Sequence, residues 1–238
     1  MEDHSKAHLS EETFDEFLES EGLPAVCEEG AIKEIIADQI RARIVKSSNL
    51  DDWIWSKISN RDLVADLRNR LAGAAFTTVL YHHQATLRLV DADMLPTAFA
   101  LARILFEAGI TGLWIENCAT DDELDRLSKA EWNPTIPSMI KRVEKTDGFA
   151  ENIISRTKAI NWDALNDYTH CRGRMLQRMI TPDDIGNNFS SDETIEVLQF
   201  AGAWALLATL GIARLCDDIK LQNDVLERCK AEVSSDNC

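Results

Sequence analysis

Apolar side chains recur along this chain at three- and four-residue intervals, and nowhere as an alternating β-branched run bounded by hairpin turns. That period predicts helices throughout. Residues Ser10 to Glu21 place Phe14, Phe17 and Leu18 on one face and stop at Gly22 and Pro24, which reads as a short amphipathic helix. From Ala31 to Lys46, Ile32, Ile35, Ile36, Ile40 and Ile44 form a stripe, and "NLDDWIWSKI" then reads as a brief helix or turn. Asn60 as N-cap opens a helix to about Val90 that feeds Leu63, Leu67, Leu71, Phe76, Leu80 and Leu87 to the core. Pro96 opens the next helix, which contains "AFALARILFEAGITGLWI" and is apolar almost throughout.

Punctuation is clear further on. Thr120 with Glu123 and Ser190 with Glu193 are spaced as capping boxes, and Gly148 suits a helix C-terminus. Between them the pattern predicts one helix over about Asp163 to Met179, then the loop "TPDDIGNNFSSDE", then a long final helix and a polar tail. The expected fold is all-α: one bundle of long packed helices over residues 31–238, preceded by an acidic arm over residues 1–30.

Charge narrows the partners. The formal net charge is −16, and residues 1–30 alone hold ten Asp or Glu against Lys6. Such a surface repels nucleic acid and anionic lipid, so phosphate binding would need a local basic patch. Six cysteines without a CxxC pair, and an N-terminus "MEDHSKAHLS" without a basic-then-apolar signal pattern, lead us to expect reduced thiols and a cytoplasmic protein. Val197 to Ala213 lies at the lower limit for spanning a bilayer; its acidic flanks, and the charges inside Ala98 to Ile115, favour core helices, and no membrane association is expected.

Three places carry candidate chemistry. Arg103 and Glu107, one turn apart with Trp114 on the same side, form either a desolvated structural pair or part of a polar pocket. His83 lies on the Phe76/Leu80/Leu87 stripe, where it is either an inert core histidine or a group reaching the Arg103/Glu107 level. On the predicted later helix, Asp167, His170, Arg174 and Arg178 share a face and Tyr168 lies opposite, with Arg172 among the apolar side chains. Tyr168 to Pro182 contains three arginines and no acid, so it suits a phosphate or carboxylate, and histidine beside arginine suits acid–base work on a phosphodiester. The bland alternative is a solvated face. His170, Arg174, Arg103 and Glu107 are the candidate catalytic residues, and Arg172, Arg178, Tyr168 and His83 the candidate substrate-binding ones. No cofactor and no metal is expected: phosphate-binding loops, dinucleotide glycines, nucleophile elbows and HExxH are absent.

"ALARILFEAGITGLWIENCAT" and "LNDYTHCRGRMLQR" resemble an uncharacterised family of all-helical bacterial proteins, with an Arg-x-x-x-Glu…Trp helix and a Tyr-Thr-His segment, over about residues 75–215. That likeness implies a fold and a short residue set: Arg103, Glu107, Trp114, Tyr168 and His170. More distantly the chain is similar to the HEPN superfamily, helical bundles that often dimerise and include metal-independent ribonucleases of toxin and phage-defence systems. Those enzymes carry Arg followed four to six residues later by His; here His170 precedes Arg174 instead. The resemblance implies a homodimer and a defence- or toxin-type ribonuclease acting on RNA through the arginine patch. The competing reading is a non-catalytic module whose acidic arm engages a basic protein, as an antitoxin or immunity protein does.

Overall fold

The computed structural model describes residues 29–59, 61–62 and 65–235. The expected Ser10–Glu21 helix, the Asn60 cap and Leu63 lie outside them. The described residues are all-α, containing helices, turns and one isolated bridge between Ile180 and Ile185.

Helix α1 runs Glu29–Ile58, so the two elements expected before Ile58 are one. The reason is local: after Gly30 no glycine or proline interrupts the segment, and Ser47, Ser48 and Asn49 are weak helix formers rather than breakers. The chain divides inside α1 into a unit ending at Ala42 and a unit from Arg43 onward. In the first, Ile35 and Ile36 are exposed, contrary to the stripe read from their spacing. Asp38 and Arg41 pair there at 2.7 Å.

The second unit begins with the rest of α1, whose Leu50 and Ile54 are fully buried. Helix α2 (Leu67–Asp91) is capped by Asp66, which accepts the Asn69 N–H at 2.8 Å. Leu67, expected in the core, sits in this first turn and is exposed. After a tight turn through Asp93, in the left-handed region at φ 55°, α3 (Leu95–Asn117) returns with Pro96 in its first turn. Two short helices follow, α4 (Asp121–Ser128) and α5 (Ile136–Val143). The Thr120 capping box starts α4, and its Glu123 also takes the Arg142 guanidinium of α5 at 2.6 Å. Gly148, at φ 90°, lies in the turn beyond α5 rather than at its C-cap. A 3-10 turn leads into α6 (Ile153–Thr169), then come α7 (Gly173–Gln177), α8 (Ser191–Leu215) and α9 (Ile219–Ser235).

Helix α3 packs on α2, α8, α6 and α5. Close approach is built from glycine. Phe76 of α2 lies against Gly112 of α3 and Gly211 of α8, where a methyl at Gly112 would fall 2.5 Å from the ring. Phe106, Leu105, Ile110, Leu113 and Trp114 fill the same core. Two helices, α3 and α8, are long and apolar enough to cross a membrane by length and composition, and in each 61% of the apolar window is buried in the fold.

Candidate functional site

Helix α6 carries Tyr168 and hands the chain to His170, and it ends sooner than its apolar pattern suggests. The chain leaves α6 at His170, passes through Cys171 in the left-handed region at φ 50°, and restarts at Gly173. Asp167 stabilises this reversal: its carbonyl accepts the Arg172 N–H at 2.8 Å and its carboxylate accepts the Arg174 N–H at 3.4 Å. The single helix expected from Asp163 to Met179 is therefore corrected to α6, a break and the short α7. The shared face of Asp167, His170, Arg174 and Arg178 does not form, because a wheel drawn through the break has no physical meaning.

What forms instead is two clusters flanking α6. On one flank His170 meets the charged pair of α3. Arg103 Nη1 lies 2.5 Å from His170 Nε2, and Arg103 Nε donates to Glu107 at 2.8 Å. Since a guanidinium has no lone pair to offer, a hydrogen bond here has Nε2 as the acceptor and the ring proton on Nδ1. Beneath lies Trp162, with the Arg103 guanidinium carbon 5.0 Å and the Lys158 ammonium 4.4 Å from its ring centroid. Thr169 donates to the Ala100 carbonyl at 3.2 Å, so the end of α6 is tied to α3 beside this group. Arg103 and Glu107 are only partly buried, with side chains 19% and 31% exposed, and His170 is at the surface. The pair faces a solvent-accessible histidine and is not sealed in the core.

On the other flank a cleft of about 260 Å³ opens between α3, α6 and α8, floored by Phe99, Leu165, Val197 and Phe200 and rimmed by Tyr168, Arg174 and Glu193. Phe99 and Tyr168 meet edge to face at 5.1 Å. Arg178 is committed here: Nε and Nη2 reach the Glu193 carboxylate at 2.9 and 2.5 Å. Burial pushes the Glu193 carboxyl up, but Arg178 and the Ser190 cap outweigh it and hold the group below its ordinary value. Burial and the neighbouring Glu193 charge raise the Tyr168 phenol, so it stays protonated as a hydrogen-bond donor. Arg174 pairs loosely with Asp167 at 3.9 Å and is mostly exposed, as is Arg172.

His83 belongs to neither cluster. It is 1% exposed, with Nδ1 3.3 Å from the Asp51 carboxylate of α1, and Gln84 donates to the other Asp51 oxygen at 3.0 Å. Burial acts to raise the Asp51 carboxyl, and the bonds from His83 and Gln84 reverse that, leaving it depressed. Among the described residues, no group of three or more His, Cys, Asp or Glu is gathered as metal ligands would be.

Trp162 and Lys158, central to the first cluster, were not singled out from the sequence, although their i, i+4 spacing on α6 was readable. Residues 76–235 match the model of a family described as a family of unknown function (DUF6988). No curated protein and no solved structure matches the chain.

Proposed function

The chain belongs to the DUF6988 family of unknown function, and from its geometry we propose that it is a metal-independent ribonuclease of the defence or toxin type. One observation carries the reading: a surface-accessible His170 is held 2.5 Å from the Arg103 guanidinium, which Glu107 holds in turn. An incoming phosphate competes for Arg103, which releases Nε2. The freed nitrogen takes the proton of the ribose 2′-hydroxyl as its oxygen attacks phosphorus; the bond to the 5′-oxygen breaks to leave a 2′,3′-cyclic phosphate, and solvent water protonates the 5′-oxygen and takes back the proton from His170. Arg103 neutralises the charge that builds on phosphorus, and Glu107 returns Arg103 to its resting position. The similarity to HEPN proteins supports a homodimer, and free Cys118, Cys171, Cys216 and Cys229 accord with a cytoplasmic setting.

The test is expression of wild type and His170→Ala in bacteria, scoring growth and RNA integrity. The reading expects fragmented RNA with wild type only; intact RNA in both overturns it.

A second reading is favoured by a different observation. The arginines are extensively neutralised by carboxylates: Arg178 by Glu193, Arg142 by Glu123, and Arg214 by Glu116 at 2.6 and 2.7 Å. On this reading the protein is a non-catalytic acidic module for a basic partner. It expects a salt-sensitive complex that is lost on deleting residues 1–30.

A further inference from the structure

Beyond the His170 cluster, α6 begins in a second concavity. A cleft of about 490 Å³ between α5 and the start of α6 is lined by Lys141, Lys145 and Lys158, with Glu144, Asn152 and Ser155 at its base. The one carboxylate there is turned inward and occupied: Glu144 accepts the Ser155 N–H and the Ser155 hydroxyl, each at 2.6 Å. It thereby caps α6 and leaves the three ammonium groups without an acidic side chain within salt-bridge distance among the described residues. Lys158 belongs to both places, lining this cleft and sitting over Trp162, whose ring also carries Arg103.

The cations therefore form a line from α5 along α6 to His170. Charge composition marks the same stretch. Residues 136–178 contain eight Lys or Arg and five Asp or Glu, a balance of +3, in a chain of net −16. Two of those cations, Arg142 and Arg178, are neutralised by Glu123 and Glu193 from outside the stretch, so the local excess rests on the lysines of the cleft, and on a strongly negative protein such an excess guides a polyanion.

We propose that the Lys141/Lys145/Lys158 cleft is the entry track for a single-stranded RNA backbone whose scissile phosphate lies at Arg103 and His170. The proposal rests on the ribonuclease reading for its substrate. The Lys158 ammonium and the Arg103 guanidinium lie 4.4 and 5.0 Å from the centre of the same Trp162 ring, so the cleft opens directly beside the His170 cluster. At roughly 3.4 Å of axis per phosphate in a stacked strand, two cations less than about 10 Å apart serve phosphates no more than about three nucleotides from one another. Backbone contact is favoured over base stacking because Trp162 is already covered by Arg103 and Lys158 and meets Phe106 at 6.2 Å. Recognition is thus electrostatic, indifferent to sequence, and steeply salt dependent.

The experiment measures binding separately from cleavage. Full-length protein carrying His170→Ala is titrated against a labelled 12-nucleotide oligouridylate by fluorescence anisotropy over a salt series. It is compared with the same protein also carrying Lys141→Glu and Lys145→Glu, and with a charge-matched control carrying Arg88→Glu and Lys220→Glu. The track expects at least tenfold weaker binding for the cleft variant alone, and a salt slope smaller by about 1.4, the value for two lost phosphate contacts on a single strand. Equal weakening in the control, or none in the cleft variant, overturns the track. Tighter binding of the His170→Ala protein to vesicles with 30% phosphatidylserine than to RNA also overturns it, in favour of a lipid headgroup. RNA integrity with the histidine restored separates the two ideas. Cleavage that survives the cleft substitutions with RNA affinity unchanged removes the track and leaves the His170 reading. Salt-dependent RNA binding lost in the cleft variant, with no cleavage by wild type, removes that reading and leaves the track.

Discussion

Arg103 of α3 and His170, the first residue beyond α6, meet at 2.5 Å, so one contact joins the most apolar helix of the core to a surface turn. Arg103 supports this position by three interactions at once, with Glu107, His170 and the Trp162 ring. Substitution at its two ends should therefore have unequal effects. His170→Ala, at an exposed residue, is expected within about 0.5 kcal/mol of wild type in urea unfolding. Arg103→Ala is expected to cost about 2 kcal/mol, because Glu107 loses its charge-assisted partner and Trp162 one of its two cations. A double-mutant cycle that gives no coupling between the two would show the contact to be inert.

The Asp51–His83–Gln84 group is a stability element. Asp51→Leu removes the acceptor for two neighbours and leaves the 1%-exposed His83 without its partner, for an expected loss of about 2–4 kcal/mol. On the ribonuclease reading, RNA cleavage per folded molecule should be unchanged, since this group is separate from the His170 cluster. Chemical denaturation paired with an activity assay checks both halves.

Acid sensitivity follows from three depressed carboxyls. Asp51, Glu123 and Glu193 each lie below their ordinary values, 3.8 for Asp and 4.5 for Glu, through their hydrogen-bond partners. A carboxyl with a lower value in the folded state binds its proton more readily when unfolded. Its stabilisation is thus full above the ordinary value and is lost as pH falls through the folded one. Thermal midpoints should hold down to about pH 5 and fall below about pH 4. Glu193→Gln should be less stable than wild type at pH 7 and show a shallower acid limb; an unchanged limb would show that Glu193 does not contribute.

Packing around Phe76 gives a prediction of the opposite kind, where adding atoms is harmful. Gly112→Ala and Gly211→Ala each drive a methyl into the ring, which is enclosed on both sides, and each is expected to cost about 1–3 kcal/mol. Gly173→Ala, with open space around its would-be Cβ, is the internal control and should lie within about 0.5 kcal/mol of wild type.

The helices were legible because burial imposes a period, and both capping boxes are present with the residues and spacing read from the sequence. Errors arose where backbone conformation, not pattern, decides. The break at Cys171 uses a left-handed non-glycine residue stabilised by Asp167, and neither leaves a periodic trace. The isoleucines of early α1 have the correct spacing, yet Ile35 and Ile36 are exposed, since spacing defines a face without saying what covers it. At the candidate site the Arg103/Glu107 pair was readable from an i, i+4 interval within one helix. Its connection to His170 spans 67 residues and needed the tertiary fold. The lysine cleft was missed because its members come from two elements, each with ordinary surface composition.

The packing of α3 against α8 has a consequence during synthesis. At about 5–20 residues per second, the roughly 70 residues between Asn117 and Ser191 mean that α3 emerges from the ribosome about 4–15 s before the helix that covers it. For that interval the nascent chain presents an apolar rod uncovered on its α8 side, long enough to be taken for a membrane segment. Over that interval it is this uncovered helix, not the finished fold, that the surrounding cell meets.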